Sequence, residues 1–172
     1  MSQNTNTPSK LTDAYKRMLE RVQTTLEGAE TQTASRLHHA VELAKEKAAE
    51  LGELTREEAV KVGDYVKRDI ENAAHFLAAD EESEFAQWLR FDIERVEEDI
   101  LESFLSVADQ TKLELLRLEH QALAPVTYHT GEVTGIGALI CTQCGHELHF
   151  FGPGHIPPCG NCKGTLFVRK EA

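Results

Sequence analysis

Apolar residues recur every third or fourth position from Leu11 to Leu123, and there the period stops. This spacing predicts helices with one buried stripe each. In the first segment Leu11, Tyr15, Met18, Val22 and Leu26 share a face, and Gly28 suits its stop. In the second, Ala34, Leu37, Val41, Ala44, Ala48 and Leu51 alternate steps of three and four, the heptad spacing of a helix seam. Gly52 then fits the position after a helix end, because it tolerates a left-handed backbone. The third segment opens with Thr55-Arg-Glu-Glu58, a capping box in which hydroxyl and carboxylate each satisfy a backbone donor of the other residue. Leu54 and Ala59 flank it as an apolar staple, and Val62, Val66, Ile70, Ala73 and Leu77 follow on one face. Asp80-Glu-Glu-Ser83 reads as a turn, and Phe85, Leu89, Ile93, Val96, Ile100, Phe104 and Val107 form the fourth stripe. A second box, Thr111-Lys-Leu-Glu114, marks either a restart or the interior of one helix running from Ser83 to Leu123.

Ala124-Pro125 ends the helical pattern, since proline lacks the backbone donor and disfavours helix in the residue before it. Val126-Thr-Tyr-His129 is β-prone, and Ala138–Cys141, Leu148–Phe151 and Thr165–Val168 read as three short strands. The expected architecture is therefore mainly α. A polar, disordered stretch over residues 1–8 leads into an antiparallel helical bundle or coiled-coil hairpin over 9–124. A small three-stranded β domain over 125–172 closes the chain.

Charge divides the chain at the same place. Residues 1–124 hold 15 Lys/Arg against 26 Asp/Glu, whereas residues 125–172 hold three of each. Neither part has the basic excess that phosphate neutralisation requires, which counts against broad nucleic-acid binding. No run of apolar residues reaches membrane-spanning length, and the first residues lack a signal-peptide core, so the expected compartment is the cytoplasm. In that compartment four cysteines point to a metal before disulfides.

Those cysteines, Cys141, Cys144, Cys159 and Cys162, form two Cys-x2-Cys pairs separated by fourteen residues. Each pair bends the chain into a knuckle that offers two thiolates to one edge of a tetrahedral zinc ion. Gly145 permits the tight turn of the first knuckle, Gly160 and Gly164 give freedom to the second, and Gly152-Pro-Gly154 suits the tip of a hairpin between them. Four sulfurs leave no position for water, so one structural Zn2+ ion is expected and a catalytic metal is not. Two disulfides, an iron site of rubredoxin type and an oxidation-sensitive thiol switch stay open as alternatives. His146, His149 and His155 lie close enough in sequence to replace a thiolate but are read as surface or strand residues.

The segments Gly52-Glu-Leu-Thr55, Arg68-Asp-Ile-Glu71, Asp109-Gln-Thr-Lys-Leu-Glu114, Tyr128-His-Thr-Gly-Glu-Val133 and Gly135-Ile-Gly137, with the two cysteine pairs, carry a further likeness. Over nearly its full length the chain resembles the bacterial zinc ribbon-containing family typified by YbeL. The resemblance implies a helical N-terminal part, a C-terminal ribbon and the four cysteines as ligands. It implies no activity. The loop at Gly152-Pro-Gly154 departs from the family pattern.

Other candidates read more plainly. Tyr128 is expected to pack where helices meet ribbon, with His129 capping the junction. His38, His39 and Glu42, and Glu71 with His75, have ligand spacing on a helix but cannot complete a metal site alone. Trp88 is expected in the core, and Phe91 on a contact surface. Ten acidic residues and two arginines between Asp80 and Glu102 form either a solvated face or a surface for a basic partner. Phosphate loops, nucleophile elbows and dinucleotide fingerprints are missing, so no enzyme class is predicted. The expected role is a non-catalytic protein-interaction module, with self-association through the helices as a further partner mode. The alternatives are a regulator of RNA polymerase with Asp80, Glu81 and Glu82 at its tip, and nucleic-acid binding by the ribbon through Lys163, Arg169 and Lys170.

Overall fold

The computed structural model describes residues 10–28, 36–79, 96–117 and 126–169. Helices α1 (Lys10–Glu27), α2 (Arg36–Glu50), α3 (Arg56–Ala79) and α4 (Glu98–Arg117) precede six strands. The strands are β1 (Thr127–His129), β2 (Val133–Thr134), β3 (Gly137–Cys141), β4 (Glu147–Phe150), β5 (Gly154–His155) and β6 (Leu166–Arg169).

The turn from α2 to α3 follows its local chemistry closely. Gly52 is left-handed at φ 67°. Its N–H bonds the Ala49 carbonyl, and the Glu53 N–H bonds that of Ala48, which closes the helix end. Two residues on, the Thr55 N–H donates to Glu58 at 2.9 Å while Thr55 Oγ1 accepts from the Glu58 N–H at 3.1 Å. Leu54 and Ala59 are both buried. The second box behaves otherwise. Thr111 sits inside α4, and its hydroxyl donates back to the Val107 carbonyl at 2.8 Å, so no restart occurs there. Nor does one helix run unbroken from Ser83 to Leu123, because Val96 and Glu97 are not helical and α4 begins at Glu98.

The buried stripes fall where the periodicity puts them. Tyr15, Met18, Val22 and Leu26 of α1, Leu37, Val41, Ala44 and Ala48 of α2, and Val62, Val66, Ile70 and Ala73 of α3 join one core with Ile100, Phe104 and Val107 of α4. Leu51 departs from the heptad reading: it is 55% exposed at the C-cap of α2. The expectations for Phe85, Trp88, Leu89, Phe91 and Ile93, and for the acidic tip at 80–82, lie outside the described residues.

The β region is richer than three strands. The three expected strands appear as β3, β4 and β6, but the sheet is four-stranded in the order β1-β6-β3-β4, and β2 and β5 form a separate antiparallel pair. The segment between the cysteine pairs is accordingly no simple hairpin. After β4 has paired with β3, residues 154–155 leave that sheet and pair with Val133 and Thr134. Short strands such as β2 and β5 have too few residues to show a period, and tertiary pairing alone defines them. Val133 and Ile136 enter the helical core itself, so bundle and ribbon share apolar packing. Among the described residues no helix is long and apolar enough to cross a membrane.

Candidate metal centre

Cys141 ends β3, and its chain turns back through Thr142–Cys144 into β4. The Gly145 N–H bonds the Cys141 carbonyl at 2.9 Å, and Gly145 is left-handed at φ 73°. The second pair repeats this at identical offsets. The Lys163 N–H bonds the Cys159 carbonyl at 2.9 Å, and the Cys159 N–H bonds the Gly164 carbonyl as the Cys141 N–H bonds that of His146. The left-handed residue of the second knuckle is therefore Lys163, at φ 64°, and neither Gly160 nor Gly164 plays that part. A non-glycine residue there costs roughly 1–2 kcal/mol. Lys163→Gly should therefore raise the thermal midpoint of the metal-loaded protein by a few degrees, read by calorimetry. A lowered midpoint would contradict this. Gly164 is needed for a different reason: a methyl group there would meet the Cys141 sulfur at 3.2 Å and the Gln143 amide at 3.0 Å.

The two knuckles bring all four sulfurs within 4.8 Å of one another, with Cys141 and Cys162 at 3.5 Å and Cys144 and Cys159 at 3.6 Å. Thiolates at about 2.3 Å from a tetrahedral zinc would be about 3.8 Å apart, so the donor set fits such an ion. No disulfide joins them. Amide groups point at the sulfurs. The Gly164 N–H lies 3.4 Å from Cys162 Sγ. The His146 N–H, followed by the Asn161 side chain, lowers the Cys144 thiol to about 6. At Cys162 the Gly164 N–H pulls down, but burial and the neighbouring sulfurs outweigh it and push that thiol up to about 12. Crowded thiols resist successive deprotonation until a cation neutralises them. Cys141, Cys144, Cys159 and Cys162 would hold the ion, which supplies the cross-link between the two knuckles.

Among the described residues these cysteines are the one group of three or more metal-ligating side chains brought together. His149 faces Glu147 at 3.5 Å, and His155 Nδ1 lies 3.3 Å from the Gly131 carbonyl. His38 and His39 are exposed.

Behind the ribbon lies a second constellation. Asp69 of α3 is fully buried and accepts five hydrogen bonds. Tyr15 Oη (2.7 Å), the Gly135 N–H (2.7 Å) and Thr134 Oγ1 (3.1 Å) donate to Oδ2; Arg68 Nε (3.2 Å) and Arg169 Nη2 (3.3 Å) donate to Oδ1. Arg169 also donates to the Ile136 carbonyl, Thr134 Oγ1 and Tyr128 Oη. Arg68 reaches Glu132 at 2.6 Å and stacks 3.9 Å above the Tyr128 ring. Burial works against the charge of Arg169, and Tyr128 and Asp69 more than offset it. Gly135 must be glycine, because a Cβ there would stand 2.6 Å from the Tyr15 hydroxyl. These contacts correct the reading of Arg169 as a nucleic-acid contact: it is 6% exposed and engaged throughout. Lys170 lies outside the described residues. Tyr128 packs the junction as expected, and His129, exposed at the surface, lies 3.4 Å from Glu132.

The network has a pH signature. Burial first, then Asp69, holds the Tyr15 phenol well above its ordinary value of about 10. Above that pH the unfolded chain has lost a proton that the folded protein keeps, so stability falls as pH rises. In an ultraviolet titration the Tyr15 phenolate should appear only as helical circular dichroism disappears. Ionisation of all three tyrosines with the helices intact would contradict this.

A profile described as a zinc-ribbon containing domain matches residues 24–171. The chain belongs to this zinc-ribbon family. The uncharacterized protein YbeL of Escherichia coli K12 is 26% identical over 130 residues, which cover 76% of this chain and 79% of the relative. YbeL of strains O6:H1 and O157:H7 gives the same figures. No solved structure matches. Within the family frame, the motifs Arg68-Asp-Ile-Glu71 and Tyr128-His-Thr-Gly-Glu-Val133 prove to be two sides of one contact, since Arg68 bonds Glu132 and the Val133 carbonyl.

Proposed function

We propose that the protein is a cytoplasmic, non-catalytic interaction module. One structural zinc ion cross-links the two knuckles of the ribbon, the ribbon packs on an acidic helical bundle, and the bundle presents a surface to a basic protein partner. The observation that carries this is the filled ligand set. Four converging sulfurs leave a bound ion no open position at which to polarise a substrate or activate water. The surface of α2 supports the second half. Glu42, Glu46 and Glu50 follow one another at single-turn intervals beside the half-exposed Leu43, Leu51 and Val60. Grooves of about 670 and 690 Å3 flank the helix; both are lined by Glu46 and Glu50, the first also by Arg21 and Lys47 and the second by Lys45 and Arg56, so that carboxylates outnumber cations by one in each. Carboxylates around apolar footholds suit a partner that brings lysines or arginines with aliphatic side chains.

Crosslinking in native cells followed by affinity capture and mass spectrometry tests the reading. A specific partner should crosslink to α2, and the double variant Glu46→Lys, Glu50→Lys should lose it while remaining folded and metal-loaded. Absence of any specific partner at native expression, or capture unaffected by the double variant, would refute the surface assigned here.

A further inference from the structure

We infer that the metal centre and the helical bundle are thermodynamically coupled, so that metal occupancy of the ribbon sets the stability of α3. The inference rests on the reading of the four cysteines as a metal site. The route is contiguous. Cys141 and Cys159 are buried in one apolar cluster with Tyr128, Leu139, Ile156 and Phe167. The Tyr128 ring belongs to that cluster, but its hydroxyl accepts from Asn72 of α3 at 2.9 Å and from Arg169 at 3.2 Å. Strands β3 and β6 run from the same cluster to the bundle. Cys141 pairs with Phe167, and Leu139 pairs with Arg169, whose guanidinium reaches Asp69. The Ile136 carbonyl just before β3 accepts from that same guanidinium.

Knuckles that open on metal loss disturb the cluster, and the cluster is close-packed, so Tyr128 and β6 cannot keep their positions. Half-buried Asn72 then loses the Tyr128 hydroxyl, and Asp69 loses Arg169 inside a core where water cannot replace it. Coupling is reciprocal: whatever metal does for α3, an intact α3 junction does for metal affinity. A ribbon joined to the bundle as an independent bead would show neither effect.

The full-length protein is loaded with zinc and examined in two ways. First, zinc is withdrawn by a competing chelator while amide exchange is followed. Exchange in the Val62–Ala73 stretch of α3 should accelerate at least tenfold together with that of β3 and β6. Second, zinc affinity is measured by chelator competition for Tyr15→Phe and Asp69→Asn, whose side chains lie on the helices and are not ligands. Each should bind zinc about 5- to 50-fold more weakly. Tyr15→Phe keeps the Asp69–Arg169 pair and serves if Asp69→Asn does not fold. Unchanged α3 exchange on chelation, or wild-type zinc affinity in a folded variant, overturns the coupling and leaves the metal site standing. Failure of the wild-type chain to bind zinc overturns both.

Discussion

Replacing Asp69 by alanine is expected to lower the unfolding free energy by about 3–5 kcal/mol, the cost of removing one partner from a buried ion pair. The carboxylate accepts from five donors, of which Tyr15, Thr134 and Arg169 are almost wholly enclosed and out of reach of water. Truncation leaves the Arg169 guanidinium without its counter-charge and the Gly135 N–H without an acceptor. At roughly 2–4 °C per kcal/mol for a chain of this size, the thermal midpoint should fall by about 6–20 °C. Calorimetry on metal-loaded protein measures it. A fall of less than about 1 kcal/mol would mean that water or a rearranged side chain satisfies these groups. By contrast, Lys10→Ala, which removes only its 2.8 Å contact with Glu58 at the surface, should leave the thermal midpoint nearly unchanged.

The other large effect is expected at the cysteines. Purified without chelators, the protein should carry one metal ion per chain. Stripping it should abolish amide protection in β3, β4 and β6, since structural zinc contributes on the order of 10–16 kcal/mol in small peptides. The four ligands should not be equivalent. Cys144 and Cys162 are exposed, so serine there acts through weakened metal binding alone. Cys141 and Cys159 also pack against Tyr128 and Phe167, and serine at either would bury a hydroxyl at a further cost of about 1–3 kcal/mol. Metal analysis with hydrogen exchange on the four single variants separates the classes. Retention of strand protection after complete metal removal would refute a structural role for the ion.

Local and periodic information was legible in advance. The capping box at Thr55–Glu58, the glycine stop at Gly52, the core stripes and the ligand set need only a few neighbouring residues to specify them. The junction was not, because its charges look like surface residues in a charged chain. Arg169 stands beside Lys170 near two exposed-looking ends of pattern, and Asp69 sits among Lys67, Arg68 and Glu71. One available signal was that Asp69 falls beside Ile70 and three residues after Val66, on the margin of the α3 stripe. The resemblance motifs held the rest of it: Arg68-Asp69 and Tyr128 through Val133 were visible as signatures, but their mutual contact is a property of the folded chain alone. Strands β2 and β5, two residues each, are defined only by their pairing with one another.

One ion-pair partner of Asp69, Arg169, stands 100 residues further along the chain. At roughly 5–20 residues per second, synthesis delivers Arg169 about 5–20 s after Asp69 has been made. Through that interval Asp69 has Tyr15, Arg68 and later Thr134 and Gly135 within the chain already made, but lacks its second arginine. The complete set of Asp69 partners is thereby reserved for a chain translated through the second knuckle and beyond it to Arg169.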